Sequence, residues 1–116
     1  RAVYNLVENA IKYNHPGGKV TIKITQKPYV LDQSLQYVST NCAFVEISDT
    51  GIGISPEYQE KIFEPFFRVD KSRSRAMGGA GLGLALVSEI AIQHRGQVKV
   101  LESSNKGSTI ALILPL

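Results

Sequence analysis

Residues 96–114, Gly-Gln-Val-Lys-Val-Leu-Glu-Ser-Ser-Asn-Lys-Gly-Ser-Thr-Ile-Ala-Leu-Ile-Leu, decide the fold class. Residues 98–101 and 109–114 are two apolar, β-rich runs, and Asn105-Lys106-Gly107 between them is turn chemistry. They read as a closing antiparallel pair. Just upstream, residues 82–94 read as a long, mostly apolar helix, expected to be buried on more than one side. His94 and Arg95 fall in its last turn and Gly96 is its expected C-cap. Further out, residues 19–25 alternate, with Val20, Ile22 and Ile24 facing one way and Thr21, Lys23 and Thr25 the other. Residues 43–48 form the next strand. No helix separates these two strands, so they pair antiparallel and the chain is an α+β two-layer sandwich rather than a doubly wound sheet.

Residues 1–13 read as a helix that places Val3, Leu6, Val7, Ala10 and Ile11 on one side and Asn5, Glu8, Asn9, Lys12 and Tyr13 on the other. His15-Pro16-Gly17-Gly18 ends it. Between the first two strands, Lys27-Pro28 breaks the alternation, and Tyr29-Val30-Leu31 with Tyr37-Val38 suits a small hairpin. Ser55 is an expected N-cap and Pro56 a first helical residue, giving a short helix to about Ile62. Residues 69–80 are polar, basic and then glycine-rich.

The 116 residues suit one domain, and 43% hydrophobic content is enough for a core. A net charge of +3 is too weak to imply nucleic-acid binding, yet it suits an anionic ligand. The one cysteine, Cys42, has no partner for an internal disulfide, and Cys/His metal spacing is absent; a reducing, cytoplasmic setting is expected. No apolar run approaches the roughly 20 residues a membrane-spanning helix requires, and no signal peptide is evident. Arg1 stands directly before a helical pattern, which suggests a domain cut from a longer protein.

Four segments carry chemistry. Asn5 and Asn9 share a helix face, and a carboxamide oxygen there can coordinate a hard cation such as Mg²⁺. Lys12, a turn further, can meet a phosphate, and Tyr13 adds a hydroxyl and a ring. In Asp49-Thr50-Gly51-Ile52-Gly53-Ile54 a strand delivers a carboxylate into a loop with two glycines. Such a carboxylate accepts a hydrogen bond from the exocyclic amine of adenine and repels the keto oxygen of guanine. Phe63-Glu64-Pro65-Phe66-Phe67-Arg68 suits the hinge of a lid, with Arg68 able to reach terminal phosphates. Lys71, Arg73 and Arg75 read as a solvated basic loop. Gly78-Gly79-Ala80-Gly81-Leu82-Gly83-Leu84 frees backbone N–H groups at a helix start, an anion site. It is neither a Rossmann turn, because no strand precedes it, nor a Walker A loop, because no Gly-Lys-Ser/Thr occurs.

In this order the segments resemble the N, G1, F and G2 boxes of sensor histidine kinases. Residues 5–13, 49–54, 63–68 and 79–84 match them in turn, and Gly107-Ser108-Thr109 is similar to the glycine-threonine signature before the last strand. The resemblance covers essentially the whole chain. It implies a Bergerat fold, with a mixed, mainly antiparallel sheet of about five strands on three helices and a flexible lid. It implies Mg²⁺ on Asn9 and ATP phosphates on Lys12 and Tyr13. The adenine amine would meet Asp49, and Gly51, Gly53, Ile54, Phe66 and Thr109 would also contact the nucleotide. Gly79, Gly81, Leu82, Gly83 and Leu84 would form the phosphate-facing lid, and Asn5, Lys12 and Arg68 would assist catalysis.

The implied reaction is γ-phosphoryl transfer to a histidine on a dimerisation domain, with a response regulator downstream. The full-length protein would be a homodimer, and any membrane anchor would belong to its remaining part. Related hydrolases carry a Glu four residues before the metal Asn; Asn5, a poor base, occupies that position and favours transfer over hydrolysis. The alternatives are an ATPase clamp module and a serine kinase acting on a sigma-factor system. Three departures stand out: a long connection at residues 26–41, Ala80 where Ser or Thr is common, and the absence of a phosphoacceptor helix. His15 and His94 lack that helix's context.

Overall fold

The computed structural model describes residues 1–31, 39–67 and 83–116. Helix α1 spans Ala2–Lys12, strand β1 Val20–Tyr29, strand β2 Thr40–Asp49, helix α2 Gly83–Gln93, strand β3 Gln97–Ser104 and strand β4 Gly107–Pro115. The strands form one sheet in the order β1-β2-β4-β3. Every neighbouring pair is antiparallel. Against an expected five or so strands, four stand among the described residues. The two helices pack on one face of this sheet, which is the α+β two-layer arrangement expected.

The core between the layers joins Ala2, Leu6 and Ala10 of α1 to Val87 and Ala91 of α2 and to Ile47, Ile110 and Leu112 of the sheet. Register explains the sheet's share: Val45 lies opposite Leu112, Ile47 opposite Ile110, and Val98 and Val100 continue both rows. A smaller cluster covers part of the other face. Cys42, Phe44, Ala111 and Ile113 lie there, with Tyr29 and Leu31 packed over them. Tyr29 meets the Phe44 ring edge-on at 5.2 Å, and its hydroxyl accepts hydrogen bonds from Lys99 Nζ at 2.7 Å and Gln97 Nε2 at 3.0 Å.

Several local expectations change. β1 does not break at Lys27-Pro28; it runs to Tyr29, with Pro28 opposite Asn41. β1 is an edge strand, where a proline can turn its missing donor away from the ladder. Tyr29 therefore ends β1 instead of starting a hairpin, and Tyr37-Val38 lie outside the described residues. The short helix after Ser55 resolves into two 3₁₀ turns, Pro56–Tyr58 and Lys61–Phe63, and Ser55 makes no side-chain cap. So short a segment, with only Ile62 and Phe63 facing the core, lacks the packing that sustains an α-helix.

α2 is covered mainly along one side: Val87 and Ala91 are buried, while Leu86 and Ile92 stay exposed. Its left-handed terminal residue is Arg95 (φ 61°), not Gly96. The Gly96 N–H closes the turn on the Ala91 carbonyl at 2.8 Å, a Schellman pattern one residue out of phase with the expected cap. Gly96 is required by space instead, since a Cβ there would strike the Ile113 carbonyl of β4.

Candidate nucleotide site

The burial of α1 is rotated from its apolar stripe. Asn5 is only 8% exposed and shares the packed side with Ala2, Leu6 and Ala10, while Val3 and Ile11 face solvent, Ile11 at 62%. Asn9, four residues on from Asn5, is half-buried. Neither carboxamide makes a side-chain hydrogen bond among the described residues, so the helix carries two amides inward with capacity to spare. Lys12 is half-buried and leans on Glu8, Nζ to Oε1 3.7 Å, one helical turn away. Such an i,i+4 pair contributes about 0.3–0.5 kcal/mol, little enough for an arriving anion to displace it. Tyr13 ends the helix, its N–H on the Asn9 carbonyl.

That end abuts the loop after β2. The Ile52 N–H donates to the Tyr13 carbonyl at 3.3 Å, and a Cβ at Gly51 would collide with the same carbonyl. Gly51 is therefore fixed by close approach, whereas Gly53 adopts φ 78° and lies against the Ser104 carbonyl. Asp49 sits at the end of β2. Its Oδ1 accepts from the Gly51 N–H at 2.9 Å and the Ser108 N–H at 3.3 Å; its Oδ2 accepts from Ser108 Oγ at 3.0 Å. Oδ2 keeps a lone pair for a further donor. Gly107 (φ 134°) lets the β3–β4 hairpin approach, since a Cβ there would meet the Asp49 carbonyl.

Ser108 was missed in the sequence. Thr109, the expected residue of the glycine-threonine signature, lies on the opposite face of the sheet, where its hydroxyl shares a 2.8 Å hydrogen bond with Ser48. Cross-strand register decides between them: Asp49 lies opposite Ser108 and Ser48 opposite Thr109, so only Ser108 shares the Asp49 side. A β-bulge at Leu101 has a related effect. It pairs Glu102 with Thr109 and Ser103 with Ser108, and Ser103 Oγ then accepts the Ile54 N–H at 2.6 Å. A 380 Å³ concavity beside the hairpin is lined by Asp49 and Ser108, with Ser48, Glu102, Lys106 and Thr109 among others. It therefore adjoins the Asp49 end of the site; no α1 residue lines it, and its hydroxyls are engaged inside the protein.

The remaining expected residues divide. Ile54 and Leu84 are half-buried and pack against the core. Gly83 opens α2, and among the described residues nothing lies within 4 Å of where its Cβ would be. Phe63 packs inward, Phe67 lies 5.7 Å from the Tyr58 ring, and Phe66 stands 68% exposed with φ 65°. A bulky residue in that region is strained. Arg68, Gly79, Gly81 and Leu82 lie outside the described residues, as do Ala80, Lys71, Arg73 and Arg75. His15 and His94 are both exposed.

Among the described residues no three His, Cys, Asp or Glu side chains cluster as a metal cage. A lone carboxamide suits a cation that brings its own waters and phosphates, as Mg²⁺ does. What the geometry offers is a helix presenting amides and a lysine at one end, and a carboxylate held by backbone and hydroxyl donors at the other.

Comparison with known proteins agrees along the full length. The family model for histidine kinase-, DNA gyrase B- and HSP90-like ATPases matches residues 1–116. The chain is 42% identical over 116 residues to the sensor histidine kinase RppB of Synechocystis sp., covering all of this chain and 23% of RppB. It is 40% identical over 111 residues to the sensor histidine kinase WalK of Bacillus subtilis, covering 96% of this chain and 16% of WalK. The chain thus spans about a quarter or less of these relatives. Among solved structures, the mycobacterial sensor histidine kinase MprB superposes with a TM-score of 0.76 at 33% identity, covering 98% of this chain and 69% of that one. The expected Bergerat-type α+β fold is the observed one. The chain belongs to the histidine kinase-, DNA gyrase B- and HSP90-like ATPase family, as the ATP-binding domain of its histidine kinase branch.

Proposed function

We propose that this domain holds Mg-ATP between α1 and the loop after β2, and delivers its γ-phosphoryl group to a histidine on a separate dimerisation domain. The observation that carries the reading is the Asp49 carboxylate, ordered by three protein donors while Oδ2 retains acceptor capacity. That free lone pair accepts from the exocyclic amine of adenine, with Ser108 holding the carboxylate in place. The Asn9 carboxamide would hold Mg²⁺, which when bound neutralises phosphate charge. Lys12 turns from Glu8 to the phosphates, and the Tyr13 hydroxyl supports them. Backbone N–H groups of Gly79, Gly81, Leu82 and Gly83 would donate to the same anion.

Transfer then needs positioning more than covalent help from the protein. An imidazole nitrogen lone pair forms the new N–P bond as the bond between the γ-phosphorus and the β–γ bridging oxygen breaks. ADP departs with that electron pair, and Arg68 spreads the charge. Asn5, buried where hydrolases of the family place a base, cannot accept a proton from water, which favours transfer over hydrolysis. A response regulator would take the phosphoryl group next, and the full-length protein would act as a homodimer. Among the described residues no helix is long and apolar enough to cross a membrane. Cytoplasmic placement of the domain, and any anchor elsewhere in a longer protein, belong to the same proposal.

Calorimetric titration of the 116-residue chain with ATP, with and without Mg²⁺, tests this reading. Saturable one-to-one binding that tightens with Mg²⁺ is expected. Failure to bind at millimolar nucleotide would overturn it.

A further inference from the structure

The two ends of the nucleotide site are carried by elements far apart in sequence. Something must hold α1, which carries Asn9, Lys12 and Tyr13, in register with Asp49. The backbone contact between Ile52 and Tyr13 is one tie. A second is made of side chains outside the proposed ligand contacts. Thr50 Oγ donates to Asn14 Oδ1 at 3.0 Å and accepts the Lys19 N–H at 2.9 Å. Asn14 Oδ1 also accepts the His15 N–H at 2.9 Å, and Asn14 Nδ2 donates to the Lys19 carbonyl at 2.9 Å. The Thr50 N–H closes the knot on that carbonyl at 3.2 Å.

Gly18 supplies an independent sign that this knot is built. Its φ is not in the left-handed region, so glycine is not demanded by backbone conformation there. A Cβ would nevertheless sit 2.6 Å from Asn14 Cγ and 2.8 Å from Thr50 Oγ. The residue lacks a side chain where the knot needs the space. Asn14 directly follows Tyr13, and Thr50 directly follows Asp49. Each member of the pair is thus one peptide away from a residue proposed to touch the nucleotide.

We infer that Asn14 and Thr50 are positioning residues: their hydrogen bond sets the distance between the adenine end and the phosphate end of the site. The inference rests on the proposed nucleotide reading and adds a distinctive consequence. A ligand that spans both ends feels the strap. A ligand that touches only Asp49 does not, because Asp49 keeps its own three donors.

Mg-ATP and adenosine separate the two cases. The 116-residue chain is titrated with Mg-ATP by calorimetry and with adenosine by NMR shift changes, as wild type, Thr50→Val, Thr50→Ser, Asn14→Ala and the Asn14→Ala/Thr50→Val double variant. Melting temperature is followed for each. Thr50→Val removes two solvent-accessible hydrogen bonds, to Asn14 Oδ1 and from the Lys19 N–H, which predicts a roughly 3- to 10-fold loss of Mg-ATP affinity. Adenosine affinity should change less than about twofold, and Thr50→Ser should retain wild-type Mg-ATP affinity to within about twofold. The double variant should lose less than the sum of the two single losses, since the Asn14–Thr50 bond is broken in both. Equal losses for the two ligands, no loss for Mg-ATP, or additive losses would each overturn the strap while leaving the nucleotide reading intact. A wild-type chain that binds neither ligand would overturn both.

Discussion

Replacing Asp49 by Asn changes one atom of the site and leaves its shape intact. In the folded chain Oδ1 is filled by the Gly51 and Ser108 N–H groups, and Oδ2 takes the Ser108 hydroxyl. An Asn can keep both Oδ1 bonds and present its NH₂ where Oδ2 was. Ser108 Oγ can rotate from donor to acceptor, so all three protein contacts survive. The fold should lose about 1 kcal/mol, the difference between charge-assisted and neutral hydrogen bonds. The ligand fares worse, because an adenine amine would now face a second donor. Losing a hydrogen bond to a charged group costs about 1.5–3 kcal/mol, which predicts a roughly 10- to 150-fold rise in Kd for Mg-ATP. Mg-GTP should lose nothing and can gain, because the guanine keto oxygen accepts from the new NH₂. The assay is paired calorimetric titration with both nucleotides, beside a melting curve. A Kd for Mg-ATP within about twofold of wild type, with the fold intact, would refute the assignment of Asp49 to adenine.

Three further substitutions probe the frame around the site. Arg95→Gly relieves a left-handed residue and should stabilise by about 0.5–1 kcal/mol after the entropy of the unfolded glycine is counted, raising Tm by roughly 2–5 °C. Gly107→Ala should cost about 1–3 kcal/mol by thermal melting, and it should weaken Mg-ATP binding too, because its Cβ would press on the Asp49 carbonyl. Tyr29→Ala removes the roof over Phe44 and should cost about 2–4 kcal/mol in urea unfolding while leaving Mg-ATP affinity unchanged. A shift in Kd there would tie the outer face of the sheet to the nucleotide site.

The strands were legible as β-rich apolar runs between turn residues, although the row expected to be half-buried on the edge strand β1 is not covered: Ile22 and Ile24 stand 49% and 70% exposed. Val45, Ile47, Ile110 and Leu112 behave as their period predicts. What escaped the sequence has identifiable causes. Pro28 looked like a breaker because strand position, edge or centre, is not written in local pattern. On α1 the apolar stripe pointed Ile11 inward, but the burial arc instead includes Asn5 and part of Asn9. Burying amides at the expense of isoleucine departs from the binary rule, and such departures are expected where a helix serves a ligand as well as a core. The bulge at Leu101 and the pairing of Ser108, rather than Thr109, with Asp49 depend on cross-strand register. Register becomes readable only once the pairing is known.

The central claim is that this chain is the nucleotide-holding half of a kinase whose acceptor is a histidine elsewhere. Its most direct test mixes the 116-residue chain and γ-labelled Mg-ATP with a separately produced dimerisation domain bearing the acceptor histidine. Acid-labile, base-stable label is expected on that domain, lost with the Asp49→Asn chain and with a His→Ala acceptor. Release of labelled inorganic phosphate with no label on the histidine would contradict it.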